Sequence, residues 1–412
     1  MLKITCDHEH LEGNVYQLRP WEHWRLVDTK PVCLAGPWGA LWESILQIAA
    51  LPSEEQLTFF KGANRKARAK LLRGIGILKR AGLVSHSLDE DALDPRDDGI
   101  PRLQKLHMEL TYRCNFKCKA CYLGARLKAA SSPKDREVST GQWLKTVEEA
   151  ASLGCTHAVV TGGEPFLRRD IVDILQCLTE NGITTTINTN GSCITAQIAA
   201  KLKPILLNTV DITLYGSDRL SAGEYTSNQP GFSSAVKAVF HLLEHDVPVS
   251  VKYFATKANI AGMDEVFDTF RTEGIRVKLI GHAIHGDIFE NKTEGGHWIV
   301  QDLERPKKVI QGGNLPCHPT GTVLNIEPDG AIRACPKVAV HFGNVFRDGL
   351  THVWTRSQAV NDFRNYWRDY TKAQGYVKGA AKGSLCPASN MLSQKDGLKD
   401  FRKGWESYRM EV

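Results

Sequence analysis

Glu109–Tyr122 reads ELTYRCNFKCKACY and sets Cys114, Cys118 and Cys121 in one short loop at x3 and x2 spacing. The residues leading into it, His107–Leu110, have strand character, so the loop leaves the end of a strand. Three thiolates on one loop can hold three corners of a cubane iron–sulfur cluster and leave its fourth iron without a protein ligand. That open iron can take a substrate or cofactor, which a four-cysteine site cannot. Zinc is the alternative, but it asks for a fourth ligand at knuckle spacing. The nearest histidine is His107, on the preceding strand.

Downstream of this loop, strand-like and helical runs alternate. Strands are expected near His107–Leu110, Ala158–Thr161, Thr184–Asn188, Val210–Leu214, Val249–Phe254 and Val277–Gly281. Helices are expected near Gly141–Ser152, Arg169–Glu180, Ala196–Leu202, Ser233–His245 and Asp264–Glu273. This α/β alternation predicts a parallel sheet, curled by right-handed crossovers into a partial (β/α)6 barrel of the TIM type. Ligand contacts in such folds gather at the carboxyl ends of the strands. Several polar motifs sit there: Gly162-Gly163-Glu164-Pro165, Asn188-Thr189-Asn190-Gly191, Thr213 within DITLYG, and Lys252 and Thr256 at the fifth strand. Adjacent glycines let backbone approach a ligand closely. Asn190 can hydrogen-bond a sugar hydroxyl.

The flanks differ. Residues 1–88 suggest short strands at Val15–Leu18, His23–Leu26 and Val32–Leu34, then helices near Ala40–Ala50, Ser53–Phe60 and Arg65–Ala81, a small winged-helix-like α+β pattern. Residues 89–104 form an acidic, proline-bearing linker. The barrel is expected over 105–310, and 311–412 forms a third region. There TVLNIEPDGAIRACP reads as a hairpin turning at Pro328-Asp329-Gly330, followed by a helix near Leu350–Trp367.

The 412 residues are 42% hydrophobic and 24% charged, which excludes a disordered or coiled-coil chain. A net charge of +6 is too mild at this length to argue for nucleic acid or an anionic membrane. No targeting segment is visible at MLKITCDHEH, and the apolar stretch 31–51 is too interrupted to span a bilayer, so a cytoplasmic protein is expected. The odd count of 11 cysteines argues against a disulfide framework. Cys33, Cys155 and Cys177 read as inert core thiols. Cys6, His8 and His10 read as a solvated terminal tail.

The combination of Cys114-x3-Cys118-x2-Cys121-Tyr122, GGEP at 162–165 and NTNG at 188–191 resembles the radical S-adenosylmethionine superfamily. The resemblance displaces the zinc reading. It implies that a 4Fe–4S cluster donates an electron to S-adenosylmethionine, releasing methionine and a 5′-deoxyadenosyl radical that abstracts a substrate hydrogen. It further implies that Cys114, Cys118 and Cys121 hold the cluster and that Tyr122 lies near the adenine. Gly162, Gly163 and Glu164 would hold the methionyl amino group, and Asn190 and Thr213 the ribose or carboxylate. Cys317, Cys335 and Cys386 resemble the SPASM/twitch extension. They imply one auxiliary iron–sulfur cluster, 4Fe–4S by preference, since no CxxC supplies the remaining ligands of a two-cluster domain. The first 88 residues resemble the RiPP recognition element, in which a leader peptide adds a strand beside the third strand. Basic residues Arg65, Lys66, Arg68, Lys70 and Arg73 would attract an acidic leader.

The function so implied is post-translational modification of a ribosomally synthesised precursor peptide by crosslinking, epimerisation, or backbone rearrangement or excision. An external electron donor such as a flavodoxin or ferredoxin would serve it, with neither nucleic acid nor membrane as partner. Two other readings stand beside it: a radical oxidoreductase acting on a small molecule, and an iron–sulfur, DNA-binding redox regulator. His282, His285, His297, Asp211, Tyr215 and Lys252 are near strand ends and could handle a proton, but none is singled out as catalytic.

Overall fold

The computed structural model describes residues 2–4, 6–12, 15–20, 32–34, 37–62, 71, 75, 84–86, 103–119, 121, 123, 138–254, 259–280, 322–335 and 338–373. Its centre is a nine-stranded open sheet. Six strands run parallel in chain order: β6 (Lys105–Glu109), β7 (His157–Thr161), β8 (Thr184–Thr189), β9 (Leu207–Leu214), β10 (Val249–Phe254) and β11 (Arg276–Ile280). Each neighbouring pair is parallel, which crossover connections between the strands allow. Among the described residues the sheet does not close, so the architecture is the partial barrel expected from the alternation.

The strands carry two chemistries on their two faces. Leu106, Met108, Val160, Ile187, Val210, Ile212 and Val251 are buried against Trp143 and Val147 of the helix Thr140–Ser152, Leu175 and Leu178 of Ile171–Glu180, and Ala238 and Leu242 of Gln229–Glu244. The residues between them are polar: His107 and Glu109, Thr186 and Asn188, Asp211 and Thr213, Ser250 and Lys252. With period-two alternation, one face is the helix-covered core and the other is a polar barrel interior.

The hairpin expected at Pro328-Asp329-Gly330 is present as β12 (Val323–Ile326) and β13 (Ala331–Cys335), extended by β14 (Val338–Asn344). It is not a separate sheet. β12 pairs parallel with β6, so the hairpin continues the barrel sheet beyond its first strand. The helices Leu350–Arg356 and Gln358–Ala373 follow, where one helix was expected.

At the amino end, β2 (Cys6–Glu12), β3 (Val15–Pro20) and β4 (Val32–Leu34) form an antiparallel sheet in that order. Cys6, His8 and His10 therefore belong to a paired strand rather than a solvated tail. The polar sequence CDHEHLE hides the strand because cross-strand backbone bonds, not hydrophobic alternation, define it. β1 (Leu2–Ile4) pairs with β5 (Val84–His86). A second small core joins Leu2, Trp42, Ile45, Ile48, Leu71, Ile75 and Val84. The strand expected at 23–26 and the basic residues Arg65 to Arg73 lie outside the described residues.

Candidate functional site

The cysteine loop leaves β6 and is fastened on three sides. On the first, the turn after β7 meets it: Gly163 N donates to Thr111 O (2.7 Å) and Glu164 N to Arg113 O (2.8 Å). This approach is possible only for glycine. Gly162 has φ +137°, and a Cβ there would stand 2.6 Å from Thr111 O, while a Cβ on Gly163 would land on the Arg113 carbonyl. On the second side, the turn after β8 meets Asn115. Asn190 Nδ2 donates to Asn115 Oδ1 (2.9 Å) and Asn115 Nδ2 to Ser192 Oγ (2.7 Å). On the third, Lys117 N and Lys119 N donate to Thr226 O and Tyr225 O (2.8 and 3.1 Å) at the end of the helix Arg219–Thr226.

Beneath the loop, buried Phe116 meets Tyr215 edge-on (centroids 6.3 Å apart), and Tyr215 stacks on Tyr225 at 5.5 Å. Cys114, Cys118 and Cys121 are all half-buried free thiols within electrostatic reach of one another. Burial pushes the Cys114 thiol up to about 11 and Cys118 well above its ordinary value. Two neighbouring thiols that resist ionising, with Cys121 beside them, suit a site completed by a cationic metal cluster, which supplies the missing positive charge.

Glu164 has no exposed surface, and its carboxylate accepts from Thr189 Oγ1 (2.7 Å), Asn190 N (2.8 Å) and Phe166 N (3.1 Å). Burial outweighs those donors and pushes its pKa from 4.5 up to about 7. A folded-state pKa above the unfolded one contributes stability below pH 4.5 that is lost as pH rises through 7. The cluster-free protein should thus lose up to about 3 kcal/mol from this group between those limits. Glu164→Gln should flatten that part of the profile, read as thermal midpoints from pH 5 to pH 8. An equal slope in both proteins would show that Glu164 does not titrate there.

The structure redefines two sequence expectations. The N–H groups of Gly163 and Glu164 face the cysteine loop and the Glu164 carbonyl accepts from Leu167 N (3.1 Å), so what remains for a ligand is the Gly162 and Gly163 carbonyls and the Glu164 carboxylate. Asn190 Oδ1 accepts from both Ser192 N and Ser192 Oγ, and its Nδ2 donates to Asn115 Oδ1, which leaves its amide only one N–H to offer. Thr213 is half-buried and pairs in register with Lys252. Cys335 is buried at the end of β13. Tyr122, Cys317, Cys386, Thr256, His282, His285 and His297 lie outside the described residues. Of the thiols expected to be inert, Cys155 is buried and Cys177 half-buried.

Sequence reasoning did not single out Asn115, Phe116, Thr189, Cys193, Glu327 or Arg333. Cys193 is half-buried within electrostatic reach of Cys114. Tyr112 Oη donates to Glu327 Oε2 (3.2 Å), and Arg333 Nη1 donates to Glu327 Oε1 (2.8 Å), so a buried ion pair on the C-terminal hairpin reaches the cysteine loop. The positions of Asn115 and Phe116 inside the cysteine motif and of Thr189 inside NTNG were the usable signals.

A six-stranded parallel partial barrel whose first loop carries three clustered thiols defines a class, and comparison with known families agrees. Residues 108–272 match the Radical SAM superfamily, and residues 317–377 match SPASM, an iron–sulfur cluster-binding domain. The chain is a radical S-adenosylmethionine superfamily enzyme with a SPASM domain. Its cofactors are S-adenosylmethionine, the 4Fe–4S cluster that serves it, and an auxiliary iron–sulfur cluster. An enzyme of this class leaves the DNA-binding regulator without support. The SPASM match includes Cys317 and Cys335 and ends before Cys386.

Among relatives, the Fe-coproporphyrin III synthase of Methanosarcina barkeri is 28% identical over 281 residues, 64% of this chain and 68% of the relative. The PqqA peptide cyclase of Rhizobium meliloti is 23% identical over 283 residues, 62% of this chain and 74% of the relative. Streptococcus suis SuiB bound to the precursor peptide SuiA superposes with TM-score 0.53 at 16% identity, over 97% of this chain and 98% of that one. SuiB bound to S-adenosylmethionine gives 0.51 at 16% identity over 96% and 98%. These structures share the fold. Among the described residues, no helix is long and apolar enough to cross a membrane.

Proposed function

We propose that this enzyme modifies a ribosomally synthesised precursor peptide whose leader is held by residues 1–88. The observation that carries the reading is the β2–β3–β4 sheet: among the described residues nothing pairs with the outer edge of β4 (Val32–Leu34). Such an edge offers unpaired backbone groups to an added strand. The likeness to a PqqA peptide cyclase supports a peptide substrate. A flavodoxin- or ferredoxin-like donor would supply the electron, and the cytoplasm would be the compartment.

Cys114, Cys118 and Cys121 would hold the first cluster, and Cys317, Cys335 and Cys386 the auxiliary one. Bound together, cluster and S-adenosylmethionine supply one-electron, hydrogen-abstracting radical chemistry. The rest belongs to the chain. The Gly162 and Gly163 carbonyls and the Glu164 carboxylate would take an ammonium group at the loop's edge. Asn190, through its remaining N–H, and Thr213 would orient a ribose or carboxylate, and Tyr122 would cover the adenine. Phe116, Tyr215 and Tyr225 keep water from the underside of the loop.

The likeness to an Fe-coproporphyrin III synthase favours a second reading, a carboxylated small molecule as substrate. Truncation decides between them. Under anaerobic reduction with S-adenosylmethionine and a precursor peptide, the full chain should form 5′-deoxyadenosine and shift the peptide's mass. Removal of residues 1–88 should cut peptide turnover at least about 100-fold, the loss expected with a leader-binding site. Equal turnover by the truncated chain would overturn the peptide reading. Alanine in place of any of the three loop cysteines should abolish cleavage in both.

A further inference from the structure

On the barrel interior two lysines share one buried carboxylate, Asp211, while the interior carboxylate Glu109 stands on β6, four strands from Lys252. Asn188, Asp211, Lys252 and Lys278 come from four adjacent strands, β8 to β11, at linked register: Asn188 opposite Asp211, Asp211 opposite Ser250, Lys252 opposite Lys278. They share one face. Asp211 is buried and takes two ammonium groups, Lys252 Nζ on Oδ2 (2.7 Å) and Lys278 Nζ on Oδ1 (3.0 Å). Ser250 Oγ also donates to Oδ1, and Lys252 Nζ to Asn188 Oδ1, both at 2.5 Å.

Two cations therefore stand on one anion, where a single lysine would neutralise it. The lysines retain unused donors, one on Lys252 and two on Lys278, counted over the described residues. Their exposures run in the order a docking site needs: Asp211 side chain 4%, Lys252 21%, Lys278 36%. The carboxylate is at the bottom and the ammonium groups are above it. His107, on the same interior face, adds no charge: burial, with Lys105, His157 and Lys252 nearby, pushes it down to about 3. Asp211 lies two residues before Thr213 and four before Tyr215, so it is about 13 Å along β9 from the aromatic support of the cysteine loop.

We infer that Lys252 and Lys278, braced by Asp211, form a docking site for a carboxylate of the substrate, an acidic side chain of the peptide that enters the barrel. The site rests on the peptide-modification reading for the source of that carboxylate, while the pairing of two lysines with Asp211 stands by itself. It anchors the substrate at depth, below the cofactor loop, and favours peptides with Asp or Glu near the residue presented to the loop. An isosteric amide would lose the charge-assisted bonds.

Lysine acylation footprinting of the anaerobic holoenzyme tests this without turnover. Acetyl-Glu-amide, acetyl-Gln-amide and coproporphyrin III are the probes. Acetyl-Glu-amide should slow acylation of Lys278 and Lys252 about threefold at twice its Kd, and acetyl-Gln-amide should not. In Lys278→Gln, the protection of Lys252 should disappear. Equal footprints with Glu and Gln probes overturn the site, and protection by coproporphyrin III alone overturns the peptide as its source. If the footprint fails while the precursor is still modified, only the docking site falls. If the precursor is untouched while the footprint holds, only the peptide reading falls.

Discussion

Gly163→Ala should fold, lose most of its bound iron after anaerobic reconstitution, and turn over at least about 100-fold more slowly, the loss expected from a misplacement near 1 Å. The added methyl has nowhere to go, because its position stands 2.2 Å from the carbonyl oxygen of Arg113, a backbone atom. Either the turn after β7 or the cysteine loop must yield. In both cases the Gly163–Thr111 and Glu164–Arg113 backbone bonds that set the loop's height are strained or broken. Overpacking of this kind costs about 1–3 kcal/mol, too little to unfold a protein of this size. Iron content, cluster absorbance and 5′-deoxyadenosine formation are the measurements. Gly141→Ala is the matched control: nothing lies within 4 Å of its Cβ position in the first turn of a helix, so the change should stabilise slightly. Iron loading and turnover within twofold of wild type in Gly163→Ala would show that the turn does not set the loop.

Glu327→Ala should be the most damaging substitution outside the cysteines. Arg333 is 3% exposed, and Glu327 is the carboxylate paired with it. Removing one partner of a buried pair leaves an uncompensated charge, at about 3–5 kcal/mol. The loss should not stay local, because Tyr112 of the cysteine loop also donates to Glu327. Hydrogen exchange should accelerate in β12, β13 and the 110–116 loop together. Replacing both partners, Glu327→Leu with Arg333→Met, should recover most of the stability without restoring the Tyr112 bond. That double variant separates fold from positioning: a stable protein with slow turnover is expected. Rapid exchange confined to the hairpin would count against coupling to the loop.

The barrel was legible because its signals are local. Six apolar runs of strand length alternate with amphipathic helices, and β10 occupies the span expected of it, Val249–Phe254. The cysteine loop announces itself by composition. What escaped is long-range. The VLNI segment reads as one arm of a hairpin, and nothing in those four residues says that its other edge meets Lys105–Met108. Glu327 and Tyr112 are 215 positions apart. Asn190 shows the same limit at the site: its side chain is committed to Asn115 and Ser192, neither of which any periodicity links to it. The helix Arg219–Thr226 was missed because its polar sequence RLSAGEYT has no apolar stripe.

The pairing of β12 with β6 also bears on how the chain comes off the ribosome. β6 is among the earliest barrel strands to be synthesised, yet the strand that covers its free side emerges more than 200 residues later. Through that interval the nascent barrel exposes a sticky edge able to recruit another chain. A product released before residue 323 would keep this edge permanently, so truncated translation products should form inclusion bodies. Co-expressing residues 322–373 in trans should rescue part of them into the supernatant.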